Sequence, residues 1–295
     1  MLNDLSYAFR TLRKSPIFTI TAVVTIALAV GASTAIFSVA NGVLLRQLPY
    51  RDPDRLVLAC SDMRRRNVKD FPLSNADFLD LRNGARSNFE DFAAVNTFRG
   101  TLPGVDGTLE QTRMAAVSTN FFQMMGGAII AGRDFQDSDG TPQPTQPTSS
   151  APPAGGAAAA PPAQPTMAIL SNQYFQQRFG GDRSVIGKPL PVSASFGPAP
   201  TIVGVLAPGF ELLFPPQVNM EQFPSLWFAA RIPYDPANRN NVQWRVIARL
   251  KPGVAIGQAQ AEAETIAEKI RGENTIARTA GQYFRLEPMK QHLVN

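Results

Sequence analysis

Few residues in this chain have side chains suited to covalent or metal chemistry. There is one histidine, His292, and one cysteine, Cys60. His292 lies near the last residue and lacks the serine and aspartate context that a catalytic triad requires. Cys60 ends the apolar run 56–59, which predicts a buried structural thiol, and a single cysteine cannot form an internal disulfide. Two candidate ligands are also too few for a cysteine–histidine metal site.

Three carboxylates, Asp134, Asp137 and Asp139, resemble a calcium-binding loop. The spacing of an EF-hand is not met and no glutamate closes the loop, so we predict a solvated loop instead. Neither GxxxxGK[ST] nor GxGxxG follows a predicted strand, so we expect no nucleotide-binding loop and no cofactor. The sequence therefore favours a protein that is not an enzyme. An anchored hydrolase would need an acid–base pair that the residues do not offer.

The net charge of +5 is spread thinly along the chain. A surface that binds nucleic acid requires clustered basic residues, and the exception to the thin spread is the run Arg64-Arg65-Arg66. We interpret this run as a solvated turn, with a phosphate-binding patch as the alternative. Nucleic acid is therefore not an expected partner.

The elements that would position any site begin with a long apolar segment. No charged residue occurs from Ser15 to Leu45. A helix of about 20 apolar residues spans a bilayer, and the apolar core of a signal peptide is shorter than this segment. We therefore predict a transmembrane helix over 16–46.

The charges beside this segment predict its orientation. Arg10, Arg13 and Lys14 precede it, and the positive-inside rule then places the N-terminus in the cytoplasm. Residues 1–15 carry apolar side chains at helical spacing, which predicts an interfacial amphipathic helix on the cytoplasmic leaflet. Everything after about residue 47 then lies on the non-cytoplasmic side, and membrane lipid is an expected partner.

Small residues recur within the predicted span. Ala27, Gly31 and Ala35 are spaced by four, so they share one helix face. Such a stripe lets another helix approach closely, although small residues are common in membrane helices in any case. We predict that Ala27, Gly31 and Ala35 are helix-packing residues.

The remainder of the chain alternates between strand and helix patterns, which predicts an α+β fold. Ser74 and Ser171 are the expected N-caps of two helices, and Gly272 is expected to end the last helix. The segment 141–166 is rich in proline and alanine and has no charged residue, which predicts a disordered loop. The predicted strands are 55–61, 90–98, 108–118, 167–170, 190–194, 200–206 (these last two as a hairpin-like pair), 242–250 and 283–287, and the predicted helices are 74–85, 120–125, 171–179 and 256–271.

Two predicted β-α-β units bracket a middle segment. The strands and helix within 55–98 mirror the strands and helix within 242–287. This symmetry predicts one lobe built from both ends of the domain, with a second lobe inserted between them.

Short motifs occur in a fixed order along most of the chain. They lie at 12–19, 41–45, 117–122, 131–135, 170–171, 178–182, 185–188, 202–205, 208–210 and 248–254. Together they resemble the MacB-like, FtsX-type ABC transporter permeases, whose patterns include VSxNFF, GRxF and FGGDxxVIGK. More narrowly, they resemble the orphan branch of that family, which is encoded without an adjacent ATPase.

The resemblance implies a fold and a function. The fold would be one transmembrane helix followed by a two-lobed periplasmic domain in the bacterial inner membrane. A β-α-β lobe would comprise 47–118 and 231–295, and a strand-rich lobe would comprise 119–230. The function would be that of a non-catalytic permease subunit in an ABC export or mechanotransmission system. The expected partners are other permease helices or a second copy of the chain, and a separate ABC ATPase subunit.

The family continues into further transmembrane helices, whereas this sequence ends at Asn295. We therefore expect a fragment, a truncated reading frame, or a partner that supplies half of a split permease. The alternative function is a single-span, membrane-anchored extracytoplasmic binding or regulatory module. A hydrophobic block encoded downstream would favour the permease, and unrelated downstream sequence would favour the module.

Overall fold

The computed structural model describes residues 16–40, 48–104, 108–143, 164–192, 198–214 and 218–292. These residues divide into two units, the apolar helix and a domain that starts at Pro49. The predicted interfacial helix 1–15, the end of the predicted span after residue 40 and most of the predicted loop 141–166 lie outside the described residues.

The apolar helix, α1, runs from Pro16 to Ala40 and has 25 residues. At 1.5 Å per residue it is about 37 Å long, more than the roughly 30 Å of a bilayer core. Proline suits the first turn because its missing N–H has no helical acceptor there. The stretch Pro16–Ala35 is long and apolar enough to cross a membrane.

The domain contains eleven strands in the described residues. They are β1 (Leu56–Met63), β2 (Val68–Phe71), β3 (Leu73–Ser74), β4 (Phe89–Pro103), β5 (Leu109–Val117), β6 (Ile129–Gly132), β7 (Met167–Leu170), β8 (Thr201–Leu206), β9 (Leu226–Ala229), β10 (Val242–Leu250) and β11 (Gln282–Pro288). Its α-helices are α2 (Asn75–Gly84), α3 (Phe121–Met125), α4 (Asn172–Phe179), α5 (Ile256–Glu273), α6 (Thr275–Ala280) and α7 (Met289–His292).

The strands form one mixed sheet in the order β11-β1-β10-β4-β5-β9-β7-β8-β6, with β2 on β1 and β3 on β10. The pairs β5–β9 and β7–β8 are parallel, and the other pairs on this path are antiparallel. The predicted α+β class, with one N-terminal apolar helix before a sheet-rich domain, is confirmed.

The two β-α-β units interleave. Strand β10 of the second unit lies between β1 and β4 of the first, and β11 pairs with the free edge of β1. This arrangement is a split β-α-β motif. The first and last strands of the domain, β1 and β11, therefore pair within one four-stranded antiparallel segment, β11-β1-β10-β4.

The first core lies between this segment and helices α2 and α5. Alanines recur every fourth residue on the buried face of α5, at Ala259, Ala263 and Ala267, and they let the helix approach the sheet closely. The first core also contains Phe78, Leu81, Phe89, Phe92, Trp244, Val246, Ala248, Leu250, Phe284 and Leu286.

The middle of the chain supplies two further packed regions. A second core includes Leu102, Met114, Phe175, Leu226 and Phe228. Trp227 alternates with two of these along β9, so its side chain lies on the other face. There it joins an aromatic cluster, whose members are Phe121, Phe122, Phe135, Phe210 and Trp227.

Several local predictions are confirmed. Ser74 caps α2 by accepting a hydrogen bond from the N–H of Asp77 at 3.1 Å. Ser171 caps α4 in the same way, from the N–H of Tyr174 at 3.2 Å. Cys60 is buried, and the arginine run at 64–66 forms an exposed turn.

Other local predictions are wrong. Gly272 does not end the last long helix, because α5 continues to Glu273. The side chain of Asn274 then starts α6 by accepting from the N–H of Ala277 at 2.9 Å, and Gly281 ends α6 in the left-handed conformation.

The predicted strand at 190–194 is also absent from its described residues, so the predicted hairpin-like pair does not form there. Leu190 donates its N–H to Pro200 at 2.7 Å, and the bridge between Pro189 and Thr201 is isolated. Prolines at 189 and 191 have no N–H to give a ladder, which explains why pairing does not extend.

Candidate functional site: the lead-in segment

The stripe predicted on the apolar helix lies on one face of α1. Ala27, Gly31 and Ala35 are exposed at four-residue spacing. Apart from the local backbone of the helix itself, no heavy atom of the described residues lies within 4 Å of the position that a Cβ on Gly31 would take. No residue of the described chain covers Gly31, and helix packing at the stripe stays a prediction.

Hydroxyl groups on α1 bond to the helix itself. Thr25 donates to the carbonyl of Thr21 at 2.8 Å, and Thr34 donates to the carbonyl of Val30 at 2.7 Å. Such i to i−4 bonds satisfy a hydroxyl in an apolar environment. These polar groups therefore do not require a partner helix.

Residues 49–55 follow the apolar helix in the sequence and begin the domain, and we call them the lead-in segment. Its main partner is Arg249 on β10, whose side chain is 1% exposed. The Arg249 guanidinium donates to the carbonyls of Arg51 at 2.6 Å, Met124 at 2.5 Å and Asp52 at 3.1 Å. One side chain thus ties the lead-in segment to β10 and to α3.

Burial lowers the pKa of Arg249 from its ordinary value, yet an arginine stays protonated in a protein. The guanidinium presents several N–H groups in a rigid plane, which allows it to donate to three carbonyls at once. Its carboxylate neighbour, Asp52, is 3.7 Å away. Carbonyl dipoles rather than a buried ion pair therefore provide most of the contacts of this charge.

Arg55, at the end of the lead-in segment, joins it to β4 and β10. It donates to Asp52 at 2.5 Å, to Glu90 on β4 at 2.8 Å and to the carbonyl of Leu250 on β10 at 2.9 Å. The hydrogen bond from Arg55 lowers the pKa of Asp52. The backbone of Asp52 is left-handed, with φ 43°, so the polar contacts surround a local bend.

Tyr50 fixes the lead-in segment to the loop after β8. Its hydroxyl donates to the carbonyl of Glu211 at 2.8 Å and accepts from the N–H of Leu213 at 2.8 Å. Burial raises the pKa of Tyr50 above its ordinary value, so the hydroxyl remains a donor. The Tyr50 ring lies 6.3 Å from that of Phe210, a member of the aromatic cluster.

The backbone of the lead-in segment also contacts the end of α3. The N–H of Arg51 donates to the carbonyl of Met125 at 3.0 Å. Gly126 follows with φ 85°, and a Cβ there would come within 3.1 Å of the Arg51 nitrogen. Glycine is required at this position both by the backbone conformation and by this close approach.

The VSxNFF stretch positions α3 against β4. The Asn120 side chain donates to Asp91 at 2.6 Å and to the carbonyl of Phe92 at 2.9 Å. Ser118 donates to Asn120 at 2.7 Å and accepts from the N–H of Ala94 at 3.0 Å. These bonds direct the next two residues, both phenylalanines, into the aromatic cluster.

The carboxylate loop at 134–139 is more ordered than predicted. Asp139 is buried and receives a bidentate hydrogen bond from Arg133, at 2.7 and 3.1 Å. Burial alone would raise the pKa of Asp139, but the bonds from Arg133 and the N–H of Gln136 lower it. Burial raises the pKa of Asp134. The prediction of a solvated loop is wrong for Asp139, because its local partner lies six residues back.

The far end of the domain meets the lead-in segment. Helix α7 packs against β1 and against the turn Pro53–Arg55, and Met289 at its start is fully buried. The first and last described elements of the domain are therefore adjacent.

The sequence patterns did not single out Arg249 as a functional residue. A signal was present, because an arginine interrupts the apolar residues of β10 between Ala248 and Leu250. Its partners are carbonyls of residues 51, 52 and 124, and carbonyl groups leave no mark in a sequence.

The described residues contain no group of three histidine, cysteine, aspartate or glutamate residues that could hold a metal. Burial raises the pKa of the Cys60 thiol to about 11, so it is a poor nucleophile at neutral pH.

A family model for the MacB-like periplasmic core domain matches residues 19–266 of this chain. Among curated proteins, no match was found. Solved structures with a similar fold include a domain of a permease protein from Porphyromonas gingivalis, with 16% identity and a TM-score of 0.55, covering 82% of this chain and 92% of that one.

Two further solved structures are similar at lower TM-scores. The periplasmic region of MacB from Actinobacillus actinomycetemcomitans has 12% identity and a TM-score of 0.49, covering 82% of this chain and 94% of its own. The extracellular domain of the noncanonic ABC-type transporter YknZ from Gram-positive bacteria has 11% identity and a TM-score of 0.47, covering 79% and 99%.

Proposed function

Because this chain belongs to the family of MacB-like periplasmic core domains, we propose that it is a non-catalytic permease subunit of an ABC-type export or mechanotransmission system. In this proposal its task is to pass movement between the membrane and the domain. ATP is bound and hydrolysed by a separate ABC ATPase subunit.

The observation that carries the proposal is the attachment of the lead-in segment. A displacement of the membrane helix would reach the domain through residues 49–55, since they follow it in the chain. These residues are held by Arg249 of β10, by the backbone of α3 and by the loop at 211–213. A pull on the lead-in segment would therefore act on the split β-α-β motif and on the middle of the chain together.

The proposal includes an orientation and a division of the domain. The N-terminus is cytoplasmic, the helix lies in the bacterial inner membrane, and residues after about 47 are periplasmic. The domain has a β-α-β lobe of 47–118 and 231–295 and an inserted lobe of 119–230. The first core draws on both ends of the domain, which supports a lobe built from both ends. The second core combines Leu102 and Met114 of β4 and β5 with residues of 168–228, so these two strands contribute to both lobes.

Partner helices would pack on the stripe of α1. We expect Gly31→Cys to cross-link in native membranes to a second copy or to another permease helix, in a Cys60→Ala background. Ala29→Cys is the matched control, because two residues along a helix correspond to roughly 200° of rotation. Equal cross-linking at both positions would contradict packing through the stripe.

The functional test is whether an ABC ATPase co-purifies with the chain. Affinity purification of the full chain from its native membranes should recover an ABC ATPase. If the lead-in segment couples the domain to the membrane helix, the Arg249→Met variant should recover less of the ATPase. Labelling of an added cysteine at Ser87 in intact cells by a membrane-impermeant maleimide tests the orientation. Purification without any ATPase, or labelling only after lysis, counts against the proposal.

A further inference from the structure

A cleft of about 530 Å³ opens between α4, the loop after β8 and the residues before β9. Its volume is in the range of roughly 300–1,000 Å³ that is typical of small-molecule sites. The cleft is separate from the lead-in segment, although Phe210 lines one side of it and also belongs to the aromatic cluster.

No charged residue lines this cleft. Four amide side chains on α4 form one wall: Asn172, Gln173, Gln176 and Gln177. An ionic ligand would find no counter-charge here and would lose its hydration without compensation.

The amides of this wall are available to a ligand. No hydrogen bond joins Asn172, Gln173 or Gln177 through its side chain to another group of the described chain. Each amide offers two N–H donors and a carbonyl acceptor, so the wall can pair with groups that both donate and accept. Hydroxyl groups have this double character.

Aromatic and proline side chains from the loop after β8 and the residues before β9 also line the cleft. Phe223 is 46% exposed, an unusual position for a large ring, and Pro208, Phe210 and Pro224 lie beside it. Flat apolar faces together with amides suit a ligand that is apolar on its ring faces and polar at its edges. A sugar ring has this distribution.

The walls of the cleft are fixed by the fold. Ser171 donates its N–H to Ser225 at 2.9 Å, and Ser225 donates its N–H to Arg113 at 2.8 Å. Phe210 packs on Phe122 at 5.4 Å and on Trp227 at 5.6 Å. The site is therefore formed before any ligand arrives, which reduces the ordering cost of binding.

We propose that this cleft binds an uncharged carbohydrate, either free or as the sugar part of a glycoside, through the amides of α4 and the ring of Phe223. This binding goes beyond the permease role and requires neither an ATPase nor a partner helix. Failure of one proposal therefore leaves the other standing.

The test is calorimetric titration of the full chain in lipid nanodiscs, because maltoside detergents carry sugar headgroups that would compete. The probes are maltotriose and chitotriose, with a methyl glycoside of glucose for the glycoside source. We expect saturable binding of at least one neutral probe, with a Kd of about 0.1–1 mM. A uronic-acid oligosaccharide should bind at least about tenfold more weakly.

Variants connect the binding to the cleft. The double variant Gln173→Ala, Gln177→Ala and the single variant Phe223→Ala should each weaken binding about tenfold or more. All three positions are exposed, so the variants should fold, which circular dichroism checks. Gln111→Ala is the matched control, since Gln111 is exposed on β5 outside the cleft.

Three results would overturn the proposal. The first is the absence of saturable binding of every neutral saccharide by folded protein. The second is binding that the cleft variants leave unchanged. The third is stronger binding of an uncharged proline-rich peptide than of any saccharide, which would make the occupant a peptide.

Discussion

The first core and the aromatic cluster are packed in different ways. The first core combines a row of alanines on α5 with aliphatic and aromatic side chains of the sheet and α2, and paired charges surround it. One such group is Arg239, which bridges Asp77 and Asp80 at 2.6 Å to each. The aromatic cluster consists of rings from segments far apart in the sequence, and the Trp227 indole N–H has no hydrogen-bond partner in the described chain.

Each of the two regions is therefore sensitive to a different kind of change. The alanines of α5 allow a short distance between this helix and the sheet. The stability of the first core depends on pH because charged side chains surround it. Large rings bury more apolar surface per residue, so the aromatic cluster is sensitive to truncation. The lead-in segment contacts both regions, because Arg249 comes from a strand of the first and Tyr50 lies against Phe210 of the second.

The largest expected effect is in the aromatic cluster. Phe122 is fully buried and its ring lies 5.2 Å from Trp227. Phe122→Ala should lower the free energy of unfolding by about 3–5 kcal/mol, since it leaves a cavity among large rings. Urea denaturation in detergent should register the change first in Trp227 fluorescence.

The two tryptophans report separately on the unfolding of the two regions. Trp244 belongs to the first core and Trp227 to the aromatic cluster, and single-tryptophan variants separate their signals. Phe98→Ala, at a partly exposed ring, is the control and should cost much less. Coincident transitions of both tryptophans in Phe122→Ala would mean that the two regions unfold as one.

The next largest effect is expected where Arg249 contacts the lead-in segment. Arg249→Met leaves the carbonyls of Arg51, Asp52 and Met124 without their donor, and unsatisfied buried acceptors cost about 1–3 kcal/mol each. Because water reaches part of the lead-in segment, we expect a loss of about 2–3 kcal/mol. Trypsin should then cut after Arg51 or Arg55 in folded protein.

Arg113→Met is the matched control for Arg249→Met, since the Arg113 side chain is 54% exposed. Its free energy of unfolding should change by less than about 0.5 kcal/mol. Trypsin resistance in Arg249→Met equal to that of the parent chain would show that other contacts hold the lead-in segment.

The sequence predicted those features that depend on neighbours along the chain. The N-caps Ser74 and Ser171, the strand Met167–Leu170 and the long helix α5 all follow from patterns within a few residues. The strands β2, β3, β6 and β9 were not predicted. They are short, and their pairing partners, rather than their own composition, make them strands.

The site was harder to predict than the fold. The symmetry of two β-α-β units was visible in the sequence, but the interleaved order β11-β1-β10-β4 depends on pairing between distant segments. Arg249 acts through backbone groups, and Asp139 is buried by contacts that its loop-like sequence conceals. The strand order and the contacts of Arg249 are tertiary, and the pairing of Asp139 with Arg133 depends on how a short loop folds back, so composition and periodicity do not contain them.

A smaller effect is expected from the acid response of the first core. Glu262 on α5 accepts from the N–H groups of Ser87 and Asn88 at 2.8 and 2.9 Å. Burial alone would raise the pKa of Glu262, but these bonds lower it below its ordinary 4.5. Its stabilisation is therefore present above about pH 4.5 and is lost as the pH falls below that value.

Glu262→Gln should cost about 1 kcal/mol at pH 7, and the difference from the parent chain should shrink toward zero near pH 3. Glu268→Gln is the matched control on the same helix, because Glu268 is 66% exposed. Urea titrations followed through Trp244 between pH 3 and pH 7 measure both. A cost for Glu262→Gln that does not change with pH would rule out this role of the carboxylate.

The smallest perturbation uses the native thiol as a probe. Cys60 lies on β1, the strand that supplies Val57 and Ala59 to the first core. With a pKa raised to about 11 and a buried position, the thiol should react with a maleimide at pH 7.5 only when β1 opens. If the two regions open independently, Phe122→Ala leaves this labelling rate unchanged while Ala263→Gly raises it. If Phe122→Ala accelerates the labelling as much as Ala263→Gly does, the two regions open together, and the lead-in segment that contacts both is the physical link between them.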